Sequence, residues 1–260
     1  MRFIGGIPRS GSTLFAALLN EHTDLNVTPT GFLTDLVQGM AERYTNSMDR
    51  VAWKDGEGAR RRYEQAVLSA AYGYIGPKGV EKSRDAPYLC GVLKQAANES
   101  PKVVLCVRDL REVASSTVRL YANRPELIEA PLASRLQKWF EETNRPLGYS
   151  LSLMMQTIAD GRLDDFHVVR FEDMIADPER VVSDAVRYLG GRVITPPVQT
   201  AGDNREHDPV HGPVGNHRVL SGPVTPPSVR WPEIIGQQLG DGIINGNREF
   251  YWRFYPEVFA

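Results

Sequence analysis

Three short, largely apolar stretches, each of strand length, mark the chain: Phe3-Ile4-Gly5-Gly6-Ile7, Lys102-Val103-Val104-Leu105-Cys106-Val107, and Asp165-Phe166-His167-Val168-Val169-Arg170-Phe171. Apolar runs without polar alternation predict strands buried on both faces. Elsewhere the apolar positions recur at helical spacing, as in the Leu14/Leu18 and Phe15/Leu19 pairs just after the first strand. The same reading predicts helices at 32–43, 58–73, 86–98, 111–123, 132–159 and 178–189, with a short segment at 79–82. Strands separated by helical crossovers define an α/β fold with a central, mostly parallel sheet flanked by helices, and ligands of such sheets bind beyond the carboxyl ends of the strands. Residues 192–232 carry eight of the eighteen prolines. They predict an irregular segment wrapping the surface, followed by a last helix and an aromatic tail, Phe250-Tyr251-Trp252-Arg253-Phe254-Tyr255. No internal repeat or low-complexity tract interrupts the pattern, so residues 1–260 read as a single domain.

Composition narrows the function classes. With 260 residues, 42% of them hydrophobic, the chain has material for a substantial core. A formal net charge of −2 gives no basic footprint for nucleic acid, so any anion site is local. The two cysteines are too few for a disulfide framework, and Cys106, inside an apolar strand, is expected to behave as a small buried hydrophobe. No apolar run approaches a membrane span, and a strand starting at residue 3 leaves no room for a secretory leader. A cytoplasmic protein without nucleic-acid or membrane partners is the expectation.

The chemistry begins where the first strand ends. Pro8-Arg9-Ser10-Gly11-Ser12-Thr13 continues from Gly6 to fit the phosphate-loop pattern G-x-x-x-x-G-K-[ST] at every position except the lysine, which is Ser12. The cation has moved to Arg9. A lysine at that place reaches the β- and γ-phosphates of a nucleoside triphosphate, so its loss argues against ATP or GTP chemistry and leaves the anion cradle in place. The helix predicted from Ser12 aims its first-turn N–H groups, its positive dipole end and the hydroxyls of Ser12 and Thr13 at one spot, with Gly11 permitting close backbone approach. A serine-rich helix start without a ligand is the plainer alternative.

Arg108 follows the second strand directly and so stands on the same rim as the first loop. Asp109 and Glu112 have capping-box spacing for the next helix, on which Ser115 and Ser116 are expected to face outward. An ion pair of Arg108 with Asp109 or Glu112 would explain the arginine without a ligand.

Taken together, Pro8-Arg9-Ser10-Gly11-Ser12-Thr13-Leu14 and Val107-Arg108-Asp109-Leu110-Arg111-Glu112-Val113-Ala114-Ser115-Ser116 resemble sulfotransferases that use 3′-phosphoadenosine 5′-phosphosulfate (PAPS), most of all bacterial members and the tyrosylprotein branch. The resemblance runs from Arg2 to about Leu189, with a weaker echo at Gly215-Asn216-His217-Arg218-Val219. It implies a sulfotransferase fold related to the P-loop NTPases. It also implies that Arg9, Ser10, Gly11, Ser12 and Thr13 cradle the 5′-phosphosulfate, while Arg108 and Ser116, eight residues apart, hold the 3′-phosphate. Phe171 in Phe171-Glu172-Asp173 matches an aromatic position near the adenine, and Lys82 in Glu81-Lys82-Ser83 matches the family's lysine loop. His217 and Arg218 are further cofactor-binding positions by the same resemblance. Asp177 and Pro178 also belong to the third motif, although an N-cap followed by a first-turn proline explains them locally. Arg9 and Lys82 are the expected cations for the leaving group, PAP is the product, and no metal is required, because a sulfuryl group carries less charge than a terminal phosphoryl. The acceptor is a hydroxyl of a small molecule, carbohydrate or peptide.

In the tyrosylprotein branch a glutamate stands twenty-one residues after the loop arginine; here that position is Thr30, which cannot accept a proton at neutral pH. Asp35 is the preferred substitute. Glu21, His22, Glu81 and Asp85 are also within reach, and His22 more naturally closes the first helix. Two other readings stay open: a Mg-ATP-dependent small-molecule kinase, for which lysine at position 12 is expected, and a non-catalytic nucleotide-binding module that has lost its base. His207, His211 and His217 show no metal-ligand spacing.

Overall fold

The computed structural model describes residues 1–28, 31, 36, 39, 42–43, 56–84, 86–87, 90, 94, 100–122, 130–141, 147–202 and 221–260. Strands β1 (Arg2–Gly6), β2 (Asn26–Val27), β3 (Gly79–Lys82), β4 (Lys102–Val107) and β5 (Phe166–Arg170) form one sheet in the order β2-β3-β1-β4-β5, every neighbouring pair parallel. The apolar runs sort by the two-residue period of a strand. Phe3, Val103, Leu105 and Val107 enter one core, whereas Ile4, Val80, Val104, Cys106 and Val169 enter the other. Register then sets the rim: Ile4 pairs with Lys82, Gly6 with Cys106 and Val107 with Arg170, so the residues after β1, β3, β4 and β5 meet at one end.

Helix α1 (Ser12–His22) covers one face together with a later helix. The other face carries α2 (Gly56–Ile75), α3 (Leu110–Tyr121), α4 (Leu132–Phe140) and α5 (Leu147–Ala159). After β5 come α6 (Phe171–Ala176) and α7 (Pro178–Leu189), the latter lying on α1's face. Asp177 caps α7 by accepting from the Arg180 N–H, and Pro178 opens it, as the local sequence predicts. Cys106 is buried in its strand, as expected.

The stretch read as one helix over 132–159 is two. Glu141 is extended, which ends the first helix, and a side chain on Gly148 in the second would collide with the Glu141 carbonyl, an approach that only glycine allows. The last helix and tail are instead three helices, α8 (Trp231–Ile235), α9 (Gln237–Gly246) and α10 (Arg248–Phe254), preceded by a small antiparallel pair, β6 (Gln199–Thr200) with β7 (Gly222–Pro223). The aromatic tail is core: Phe250, Tyr251, Phe254 and Tyr255 are buried, each large side chain contributing about 1.5–3 kcal/mol of burial. Of the helix expected over 86–98, residues 86, 87, 90 and 94 are described and all are helical.

Two local expectations at the start of α3 fail. The capping box does not form: Asp109 accepts from the Arg111 N–H, but Glu112 turns to Arg108 and Arg230, and the Asp109 N–H donates to Glu172 instead. Ser115 and Ser116 do not face outward, with exposures of 0% and 5%, because α8 and α9 pack on α3 and Ser116 turns toward Arg9. The Asp109 cap forms, and tertiary partners take only the Glu112 half of the box.

Candidate functional site

The loop between β1 and α1 is held by unusual backbone. Arg9 is the one non-glycine described residue at positive φ, 65°, a conformation that costs an L-residue about 1–2 kcal/mol and is typical of sites where geometry serves function. Gly6, at φ 143°, leaves no room for a side chain against the Cys106 carbonyl. Gly11 is the N-cap of α1 at φ 90°, and the ring of Phe171 lies over the place where its side chain would be. The first turn of α1 therefore receives no side-chain cap, which suits a helix start that points at an anion.

Two cationic groups approach this loop from different strands. From β3, the Lys82 ammonium donates to Thr13 Oγ1 at 3.1 Å. From the end of β4, Arg108 places its guanidinium carbon over the Phe171 ring, 4.2 Å from its centroid, donates to the Arg9 carbonyl at 3.3 Å and pairs with Glu112 at 3.4 Å. Arg9 swings its own guanidinium back so that Nε donates to Ser116 Oγ at 3.0 Å. The residues read from the sequence as two ends of one site are thus physically joined through Arg9.

Charge and hydrogen bonding both leave this site unsatisfied. Burial lowers the pKa of Arg9, and the neighbouring Arg119 lowers it further. Burial also lowers that of Arg108; Glu112 and Glu172 oppose the shift, while Arg9 and Arg119 add to it. The guanidiniums of Arg9 and Arg108, brought to one rim, are relieved by an anion. Among the described residues, Ser10 Oγ, Arg108 Nε and Ser115 Oγ are buried without a hydrogen-bond partner. Of these, Ser10 Oγ is in the loop and Arg108 Nε beside it, and both suit a ligand rich in oxygen acceptors.

The proton-acceptor candidates separate. His22 bonds Thr195 Oγ1 at 2.7 Å and the Gln199 carbonyl at 2.6 Å through its two ring nitrogens, and Glu21 accepts from the Ala201 N–H at 2.6 Å. Both tie the end of α1 to the proline-rich segment. Glu81 is fully buried on β3, with its carboxyl where a side chain on Gly31 would go. Asp35, Thr30, Asp85, His217 and Arg218 lie outside the described residues. Sequence reading missed the part played by Glu172, whose two oxygens accept from the Asp109 N–H and the Tyr255 hydroxyl, and of Arg230, whose Nε meets Glu112 Oε1 at 2.8 Å. No local spacing links residues 63 or 118 positions apart. No group of His, Cys, Asp and Glu among the described residues could hold a metal ion, and no described helix is long and apolar enough to cross a membrane.

A parallel sheet whose first strand runs through a phosphate-type loop into a helix, with a second arginine at the end of the adjacent strand, defines an α/β fold of the P-loop kind. The model of the sulfotransferase family matches residues 3–194, and the chain belongs to that family. Its fold is similar to that of the sulfotransferase domain from the curacin biosynthetic pathway, at 21% identity and TM-score 0.52, with 85% of this chain and 82% of that one covered. It is similar also to the sulfotransferase domain of the Synechococcus PCC 7002 olefin synthase, at 19% identity and TM-score 0.50, with 94% of each chain covered. No curated protein matches the chain.

Proposed function

We propose that this sulfotransferase takes its sulfuryl group from PAPS and delivers it to a hydroxyl of a small-molecule, carbohydrate or peptide acceptor. One observation carries the reading: a single loop is served by two separate cationic positions, Lys82 through Thr13 and Arg108 with Arg9 and Ser116. That suits a nucleotide with phosphates at both ends of its ribose. The buried, unpartnered Ser10 Oγ and Arg108 Nε fit the oxygens of such a ligand.

Bound PAPS would supply the transferable sulfuryl, the acceptor hydroxyl giving up its proton as it takes the group and PAP leaving as the product. Ser10, Gly11, Ser12 and Thr13, with the N-terminus of α1, bind the 5′ end. Lys82 meets the negative charge that develops on the bridging oxygen, and Arg9 stands between the two ends. Arg108 and Ser116 bind the 3′-phosphate, the Phe171 ring packs near the adenine, and His217 and Arg218 complete the cofactor contacts. Asp35 takes the acceptor proton.

Thermal shift tests the donor. PAP at a hundredfold excess over its Kd stabilises the protein by about 2.7 kcal/mol, and Mg-ATP at equal concentration does not. No shift with PAP, or a larger one with Mg-ATP, overturns the reading. Transfer of label from PAPS to a panel of alcohols and phenols then separates an enzyme from a nucleotide-binding module without turnover.

A further inference from the structure

Tyr251 in the last helix and Tyr255 just after it bond, from the far end of the chain, the residues that follow Arg108 and Phe171. Asp109, immediately after Arg108, has its carboxylate held by the buried Tyr251 hydroxyl at 2.9 Å and by Arg111, whose guanidinium also stacks on Trp231 at 4.7 Å. Its N–H donates to Glu172 Oε1 at 3.1 Å, and the other oxygen of Glu172 accepts from the buried Tyr255 hydroxyl at 2.8 Å. Glu172 directly follows Phe171, the ring on which Arg108 lies. The residues after both members of the Arg108–Phe171 stack are therefore fixed by two tyrosine hydroxyls from one short segment. Burial pushes both phenols upward in pKa, and the facing carboxylates of Asp109 and Glu172 add to this, so both hydroxyls remain protonated donors.

We propose that Tyr251 and Tyr255 are positioning residues of the donor site: through Asp109 and Glu172 they set Arg108 against Phe171 and so set the preference for an adenine nucleotide that carries a 3′-phosphate. Neither hydroxyl touches the rim itself; each acts through the residue beside Arg108 or Phe171. The proposal rests on the PAPS reading above, because only then is Arg108 a 3′-phosphate ligand. A plain tertiary staple predicts something different, namely lower stability with no change in what the site prefers.

The test compares PAP with 5′-AMP, which lacks the 3′-phosphate, by calorimetric titration of the full chain. Tyr251→Phe, Tyr255→Phe and the double variant keep the rings and remove only the hydroxyls. Met154→Ala removes a buried side chain of the same core on α5, away from both hydroxyls. The affinity ratio of PAP over AMP falls about two- to tenfold for each hydroxyl removed, the range of one net hydrogen bond, and stays at the wild-type value in Met154→Ala even where its Tm drops. A wild-type chain without preference for PAP sinks the donor reading itself. A wild-type chain with that preference, together with tyrosine variants that retain it, overturns the positioning role and leaves the tyrosines as staples.

Discussion

Gly11→Ala probes the point where loop, aromatic ring and arginine meet. The substitution places a methyl group 2.3 Å from Phe171 Cδ2, whereas non-bonded carbons settle at about 3.5–4.0 Å, so the ring must retreat by more than ~1 Å. It also forces an L-residue into φ 90°, which costs about 1–2 kcal/mol. Overpacking of this kind adds about 1–3 kcal/mol. The sum, roughly 2–5 kcal/mol, corresponds to a Tm lower by about 4–20 °C for a domain of this size. Because Phe171 supports Arg108 at 4.2 Å, displacing it also forfeits a stack worth about 0.5–2 kcal/mol, or about two- to thirtyfold in PAP affinity. Differential scanning fluorimetry reads the first effect and calorimetric titration the second. The decisive arm is a double-mutant cycle with Phe171→Ala, which removes the obstructing ring: the cost of Gly11→Ala falls there to the backbone strain alone, a coupling of about 1–3 kcal/mol. Additive effects, or a Gly11→Ala protein that melts and binds like wild type, refute the packing argument.

Lys82→Met keeps the aliphatic stem and removes the charge beside Thr13; turnover falls about 10²–10³-fold in a labelled-PAPS assay while the Tm moves little, and unchanged turnover removes Lys82 from the chemistry. His22→Ala loses two partly buried hydrogen bonds to Thr195 and Gln199, so urea denaturation shows about 1–3 kcal/mol less stability, with turnover retained; lost turnover at unchanged stability returns His22 to the list of bases. Burial raises the thiols of Cys90 and Cys106 from 9.0 to about 12, and it raises the phenols of Tyr251 and Tyr255 as well. Unfolding above pH 9 therefore releases protons that the folded chain retains. The stability these groups contribute is intact below pH 9 for the thiols and below pH 10 for the phenols, and declines above those values by about 1.4 kcal/mol per pH unit for each group that ionises in the unfolded chain; a flat profile from pH 8 to 11 in denaturant titrations contradicts the burial of these groups.

Elements whose own residues carry their signal are legible from the chain alone. The runs at 3–7 and 102–107 hold strands because a strand covered on both faces has no polar position to alternate, whereas the run at 165–171 yields the shorter, half-buried edge strand Phe166–Arg170, with Asp165 ending a 3-10 turn and Phe171 opening α6; Asp177-Pro178 opens a helix because cap and ring geometry are local. The loop and Arg108 were legible for the same reason: each stands directly after its strand, and parallel strands end on one rim. β2, at two residues, is too short to show a period, and the break inside 132–159 depends on a close approach between Gly148 and the Glu141 carbonyl that no window of hydropathy contains. Long-range packing, in contrast, turns Arg9 to Ser116, draws Glu112 from the capping box to two arginines, and lets tyrosines 142 and 83 positions away hold the residues beside Arg108 and Phe171. A buried charge or hydroxyl takes whichever partner packing brings within about 3 Å, and packing joins residues without regard to their separation along the chain.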